Sequence, residues 1–159
     1  MDTLRTFFRH HAWATLGLID HCLGLAPELL EEPLAGTRGT IQETLVHLVA
    51  ADQRYLERAD GHPAAVRIHE TEETTLAQVR RAFEDQVTRW EALIDRAAEL
   101  DVTIHGRDGT VVPHATDLIW LQAIHHGNDH RTHACTVLGA KGLAVPDLSG
   151  WAYWSATHG

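Results

Sequence analysis

Long hydrophobic runs are missing from this chain, so no membrane-spanning segment is expected. The first residues, "MDTLRTFFRHHAWATLGLID", are broken by polar side chains and lack a small-residue cleavage site. Neither a secretory signal nor a transit peptide is expected there, and the expected location is cytoplasmic. Cysteine is scarce. Cys22 and Cys135 lie far apart and outside any CxxC pattern, which argues against a disulfide framework and for small buried apolar residues. Concentrated positive charge is also absent: 13 scattered Lys and Arg face 22 Asp and Glu, for a net charge of −9 with neutral histidines. Partial protonation of the 13 histidines softens this balance without reversing it at pH 7. A nucleic-acid partner, which needs a positive stripe, is therefore not expected. There is no internal repeat, low-complexity segment, nucleophile elbow or glycine-rich phosphate loop.

What is present is a chain of 159 residues, 44% hydrophobic and 22% charged, long enough for one globular domain over residues 1–159. Leu4, Phe7, Phe8, His11, Thr15, Leu18 and Cys22 recur at helical spacing and predict a first helix over about residues 2–25, weakened by Gly24 and stopped by Pro27. A turn-rich linker, "APELLEEPLAGTRG", follows. "TIQE" is a capping box that opens a second helix at Thr40, ending before "GHP" at 61–63. "TLAQ" opens a third, with Leu76, Val79, Phe83, Val87, Trp90, Ile94 and Ala97 in register. The β-branched flanks of "VTIHGRDGTVV" around Asp108-Gly109 predict a small hairpin. A fourth helix starts near Thr116, with Asp117 in its first turn, and runs to Leu138, with Gly139 as its stop. "PDLSGWAYWSATHG" predicts a short aromatic helix packing back on the body. The expected fold is all-α: a four-helix bundle, a hairpin between helices three and four, and a short C-terminal helix. The tryptophans, Trp13, Trp90, Trp120, Trp151 and Trp154, are read as packing residues.

The stretch "AIHHGNDHRTHACTVLG" holds four histidines in nine positions. On a helical wheel Ile119, Ala123, His126, His130, Ala134 and Val137 share one sector, with His133 at its margin and His125 pointing elsewhere. Rings four residues apart rise about 6 Å along one side of a helix, which suits a shared metal. The pair alone fits equally a metal site or two hydrogen-bonded core histidines. Helix two offers His47, beside the small residues Thr44, Ala50 and Ala51 but away from the apolar stripe Leu45, Leu48, Val49, Asp52 and Leu56. Periodicity alone does not select it.

"WA" at 13–14, the helix-two segment "TIQETLVHLVAADQRYLERA" and "HHGNDHRTH" in helix four together resemble the DinB-like (DinB/YfiT) superfamily of four-helix-bundle metalloproteins. The resemblance implies His47, His126 and His130 as ligands of a divalent metal, zinc or nickel. In that family Gly-Gln usually follows His-Arg, where this chain has Thr132-His133, and Asp129 stands where an aromatic residue is common. His133 is expected beside the ligands or at the surface. The resemblance implies a small-molecule substrate, a homodimer and a metal-dependent, thiol-utilising transferase of detoxification or stress metabolism, with a low-molecular-weight thiol as cosubstrate. A metal-dependent hydrolase and a non-catalytic metal- or ligand-binding stress protein are the alternatives. No catalytic base is identifiable: Glu43 and Asp52 are near in sequence only, and each reads more simply as a capping or solvated carboxylate. Arg131 is expected to anchor a carboxylate on a neighbouring helix. His10, His11, His21, His62, His69, His105, His114 and His158 show no ligand-like grouping, and ordinary titration at partial exposure is expected for most.

Overall fold

The computed structural model describes residues 3–70, 73–106 and 108–159. Four long helices, α1 (Thr3–Leu23), α2 (Ile41–Asp60), α3 (Leu76–Asp95) and α4 (Thr116–Ala140), are joined by a hairpin, β1 (Ile104–His105) with β2 (Val111–Val112), and followed by α5 (Gly150–His158). The expected bundle, hairpin and terminal helix are all present. No helix of the described residues is long and apolar enough to cross a membrane.

The core has two centres, and they orient the helices. One gathers Leu18 and Cys22 from late α1, Ile41 and Leu45 from early α2, Val79 and Phe83 from early α3, and Val137 and Leu138 from late α4. The other gathers Phe8, Leu56, Trp90, Ile94, Ile119 and Trp120 from the opposite ends of the same helices. Hence α1 and α4 run one way, α2 and α3 the other. Around the bundle α1 packs on α3 and α4, and α2 on α3 and α4. Because α2 and α3 are parallel neighbours, the chain between them, 61–75, must run back along the length of the bundle.

Local chemistry sets the boundaries. Thr40 and Glu43 close the expected capping box on α2, and Thr75 and Gln78 do the same on α3. Gly61 ends α2 at φ 73°, a left-handed conformation that glycine adopts without a β-carbon clash. Helix α1 ends at Leu23, short of the expected residue 25, and the expected start at Asp2 lies outside the described residues. Phe7, placed by periodicity on the inner face, is exposed. Ala97 falls in a short 3-10 turn beyond α3. The hairpin pairs Ile104 with Val112 and His105 with Val111 around Gly109, with Arg107 outside the described residues.

Gly139 is not the stop of α4. The helix runs through it to Ala140, and Gly142, at φ 69°, turns the chain instead. The amides of Gly142 and Leu143 donate to the carbonyls of Gly139 and Leu138, the paired bonds of a Schellman motif. The tail then returns across α1, where ring nitrogens of His10 and His21 bond the carbonyl oxygens of Leu148 and Ala144. Tyr153 packs against His10 and Trp13, whereas Trp151 faces solvent and Trp154, half-exposed, stacks on His158 of its own helix.

Candidate metal centre

His47 projects from α2 and His126 and His130 from α4, at the seam where these helices pack. One ligand-capable atom of each lies within 4.8 Å of the other two. The Nε2 atoms of His47 and His126 are 3.1 Å apart. Two nitrogens bound tetrahedrally at about 2.0–2.1 Å from one ion stand about 3.3 Å apart, so this pair is already spaced for sharing. The ring centroids of His126 and His130 are 4.3 Å apart, as the spacing of four on one helix face anticipates.

The electrostatics favour neutral rings. Burial first, then the neighbouring His47, push His126 down to about 4. Burial, His126 and His47 push His130 down to about 3. Neutral imidazoles keep the lone pairs that a metal needs. The Nδ1 atoms of His126 and His130 are buried and have no hydrogen-bond partner among the described residues. Donor type, spacing and protonation state all fit a divalent ion.

His47 is held from behind. Its Nδ1 lies 2.7 Å from Glu70 Oε2, to which Arg38 donates at 3.0 Å; Arg38 also stands 2.9 Å from Nδ1, but both are donors there and share no hydrogen bond. A carboxylate only accepts, so Nδ1–H donates to Glu70 and Nε2 is left as the free lone pair. Arg54 donates to Glu70 Oε1 at 2.8 Å. Burial acts to raise the Glu70 carboxyl, but the hydrogen bonds from His47 and Arg54 outweigh it and hold it below its ordinary value. Glu70, Arg38 and Arg54 were not legible as site residues: Glu70 and Arg38 lie in linkers without periodicity, and Arg54 reads as an exposed helix residue. Tyr55 sets its ring edge-on to His126, and its hydroxyl accepts from Gln122.

The remaining candidates fall elsewhere. His133 lies beside His130, ring centroids 5.4 Å apart, outside the three-atom cluster and with its Nδ1 buried and unpartnered among the described residues. His125, Asp129 and Thr132 are exposed. Glu43 is the capping carboxylate of α2, accepting from the Thr40 amide at 2.9 Å. Asp52 is fully buried, not solvated. Its Oδ2 lies 2.8 Å from His11 Nε2 and accepts from Trp90 Nε1. Arg131 donates to His11 Nδ1 and to Thr15, so His11 carries its proton on Nε2 and donates it to Asp52. Arg131 therefore meets its carboxylate through an imidazole, not directly. His11 is buried in this chain of bonds and His10 is lowered by burial, so neither has the environment of an ordinary surface histidine.

No curated protein matches this sequence. A family model does: that of the DinB superfamily, over residues 12–134, which takes in His11's neighbour on α1, all of α2 and α3, and the three-histidine cluster. The match spans most of the helical bundle, and the chain belongs to the DinB superfamily.

Proposed function

We propose that His47, His126 and His130 hold a divalent cation, zinc or nickel, and that the protein is a metal-dependent, thiol-utilising transferase acting on a small-molecule electrophile. The observation that supports this is the convergence of three imidazoles from two helices within 4.8 Å, with His126 and His130 held neutral by burial. Three protein ligands leave coordination positions for an outside molecule, the arrangement of a reactive rather than a structural site. A divalent ion bound by neutral ligands keeps its full charge and so stabilises an anion of low basicity, such as a thiolate. His47 supplies its lone pair in a direction that Glu70 sets. His126 and His130 stay unprotonated because burial and mutual repulsion disfavour the imidazolium. Tyr55 stands edge-on to His126 and its hydroxyl accepts from Gln122, which puts a hydroxyl and an amide on the His126 side of the cluster.

The test is elemental analysis of the purified protein beside His126→Ala, followed by incubation with low-molecular-weight thiols and a chlorodinitrobenzene or bimane electrophile. Near-stoichiometric metal in the wild type, depleted in the variant, with thiol conjugation that stops on chelation, bears out the reading. Turnover of esters or amides without thiol replaces it with a hydrolase. Bound metal without turnover reduces it to a binding protein.

A further inference from the structure

The side of α4 turned away from His126 and His130 borders a second cavity. It lies between α4 and the tail that returns after Gly142, has a volume of about 430 Å³, and is lined in part by Arg131, Cys135, Val145, Pro146, Leu148 and Ser149. On the α4 wheel, Arg131 and Cys135 stand about 100° or more from both ligand histidines, so the cavity and the three-histidine cluster occupy different faces.

The cavity is electrically one-sided. Arg131 is the charged side chain in its wall, and among the described residues no Asp or Glu lines it, in a chain whose net charge is −9. The Arg131 side chain is nearly buried, at 4% exposure, and its bonds to His11 and Thr15 both leave from Nη1. Asp52 meets it only through the His11 ring, on that same side. Nε and Nη2 form no hydrogen bond among the described residues, and neither is closed off from the cavity as Arg89 Nη1 is closed off in its own site. Together Nε–H and Nη2–H are the fork that meets both oxygens of a carboxylate side-on. The packing of α1 on α4 therefore uses one nitrogen of Arg131 and leaves its recognition edge unspent. One cation balances one negative charge. Val145, Pro146 and Leu148 add a hydrocarbon wall from the tail, and the volume falls within the range of small-molecule pockets.

We infer that this cavity binds a small monocarboxylate with an apolar body, its carboxylate on the Nε–Nη2 edge of Arg131 and its body against the tail. The site needs no metal and stands apart from the function proposed above.

Cys135 reports occupancy, because its free thiol lines the same cavity. The native protein is treated with iodoacetamide at pH 8 and low ionic strength, and alkylation of Cys135 is followed by peptide mass mapping with added benzoate, benzamide or inorganic phosphate. Saturating benzoate is expected to slow alkylation by about tenfold or more. Half-protection should need about ten- to hundredfold less benzoate than benzamide, the worth of charge-assisted bonds to the fork. Val145 and Thr136 are exposed at the cavity's edge, so each can be replaced by Glu or by Gln without touching Arg131. Val145→Glu should need about fivefold more benzoate than Val145→Gln, and Thr136→Glu than Thr136→Gln, with benzamide equal within each pair. Thermal melts check that all four variants fold. Absence of protection by benzoate overturns the inference. So does equal protection by benzamide, which would mark an apolar cleft indifferent to charge. Phosphate acting as well as benzoate overturns it too, since the hydrocarbon wall would then contribute nothing. Benzoate protection that is identical in the Glu and Gln variants at both positions places the ligand elsewhere and overturns it as well.

Discussion

The His11 ring occupies the space that a β-carbon on Gly127 would fill: such a carbon would stand 2.3 Å from His11 Cε1 and 2.6 Å from Nδ1. The imidazole cannot swing aside, because Asp52 holds one nitrogen and Arg131 the other. Gly127→Ala is therefore expected to destabilise the fold. Overpacking costs about 1–3 kcal/mol, more than the alanine gains in helix propensity, about 1 kcal/mol at most. Urea unfolding of the variant beside wild type checks this. An unchanged or higher midpoint would show that α1 and α4 can part freely.

Asp52 and Arg131 are buried partners joined through His11. Burial pulls the Arg131 guanidinium down to about 10, although Asp52 opposes the shift. Removing the carboxylate alone, in Asp52→Ala, strands that cation and should cost about 3–5 kcal/mol. Asp52→Leu combined with Arg131→Met should cost much less than the two single changes added together. A double-mutant cycle by denaturant titration measures the coupling, and strict additivity would contradict it.

Acid should destabilise the metal-free protein through His126 and His130 of the proposed metal centre. In the folded state His126 and His130 titrate near 4 and 3, below the ordinary value of 6.5. As pH falls below 6.5 the unfolded chain takes up protons that the folded protein refuses, so stability is complete above that pH and drains away toward pH 4 and below. The urea midpoint at stepped pH should fall less steeply in a His126→Phe, His130→Phe variant. Identical slopes would place the acid sensitivity elsewhere.

Glu70→Gln should weaken metal binding by about 10- to 100-fold, because the carboxylate that fixes the His47 tautomer is gone. Competition against a chromogenic chelator reads this directly, with stability monitored in parallel. Glutamine can still accept from Nδ1, so Glu70→Ala should weaken binding at least as much.

The two thiols should differ in reactivity. Cys22 is fully buried, and burial raises its thiol to about 12. Cys135 is half-buried and raised by burial, with Arg131 opposing. Ellman's reagent at pH 8 should therefore leave Cys22 untouched in the native protein, modify Cys135 slowly, and reach both in denaturant. Rapid native titration of both would contradict the packing around α1.

The helices and their N-termini were legible because they depend on short-range chemistry: two capping boxes, a hairpin glycine and a 3.6-residue apolar rhythm. The errors arise where tertiary contact overrides that rhythm. Gly139 reads as a stop, yet the helix continues through it, and the amides of Gly142 and Leu143 close on the Gly139 and Leu138 carbonyls where the chain turns at Gly142. Gly127 sits inside α4, where alanine would favour the helix more, and the position of His11 explains it. Phe7 matched the inner face in period but sits where α1 has no covering neighbour. His126 and His130 could be paired from spacing alone. His47 needed the resemblance to a family, since it lies off the centre of its helix's apolar stripe. Glu70 had no periodic signal, because it comes from the segment that runs back between parallel helices.

That returning segment has a consequence for how such a protein can change. The imidazoles stand on two helices whose relative placement is locked by packed hydrocarbon and by the bonds from His11. The carboxylate that steers His47 comes instead from the connector between α2 and α3, which is anchored to the core by Ile68, beside the half-exposed Arg38 and Arg54. Exposed positions of that connector other than Glu70 and the core residue Ile68 can change without displacing the three rings. Variants with altered substrate range are therefore best sought by randomising those positions, with the helices left alone.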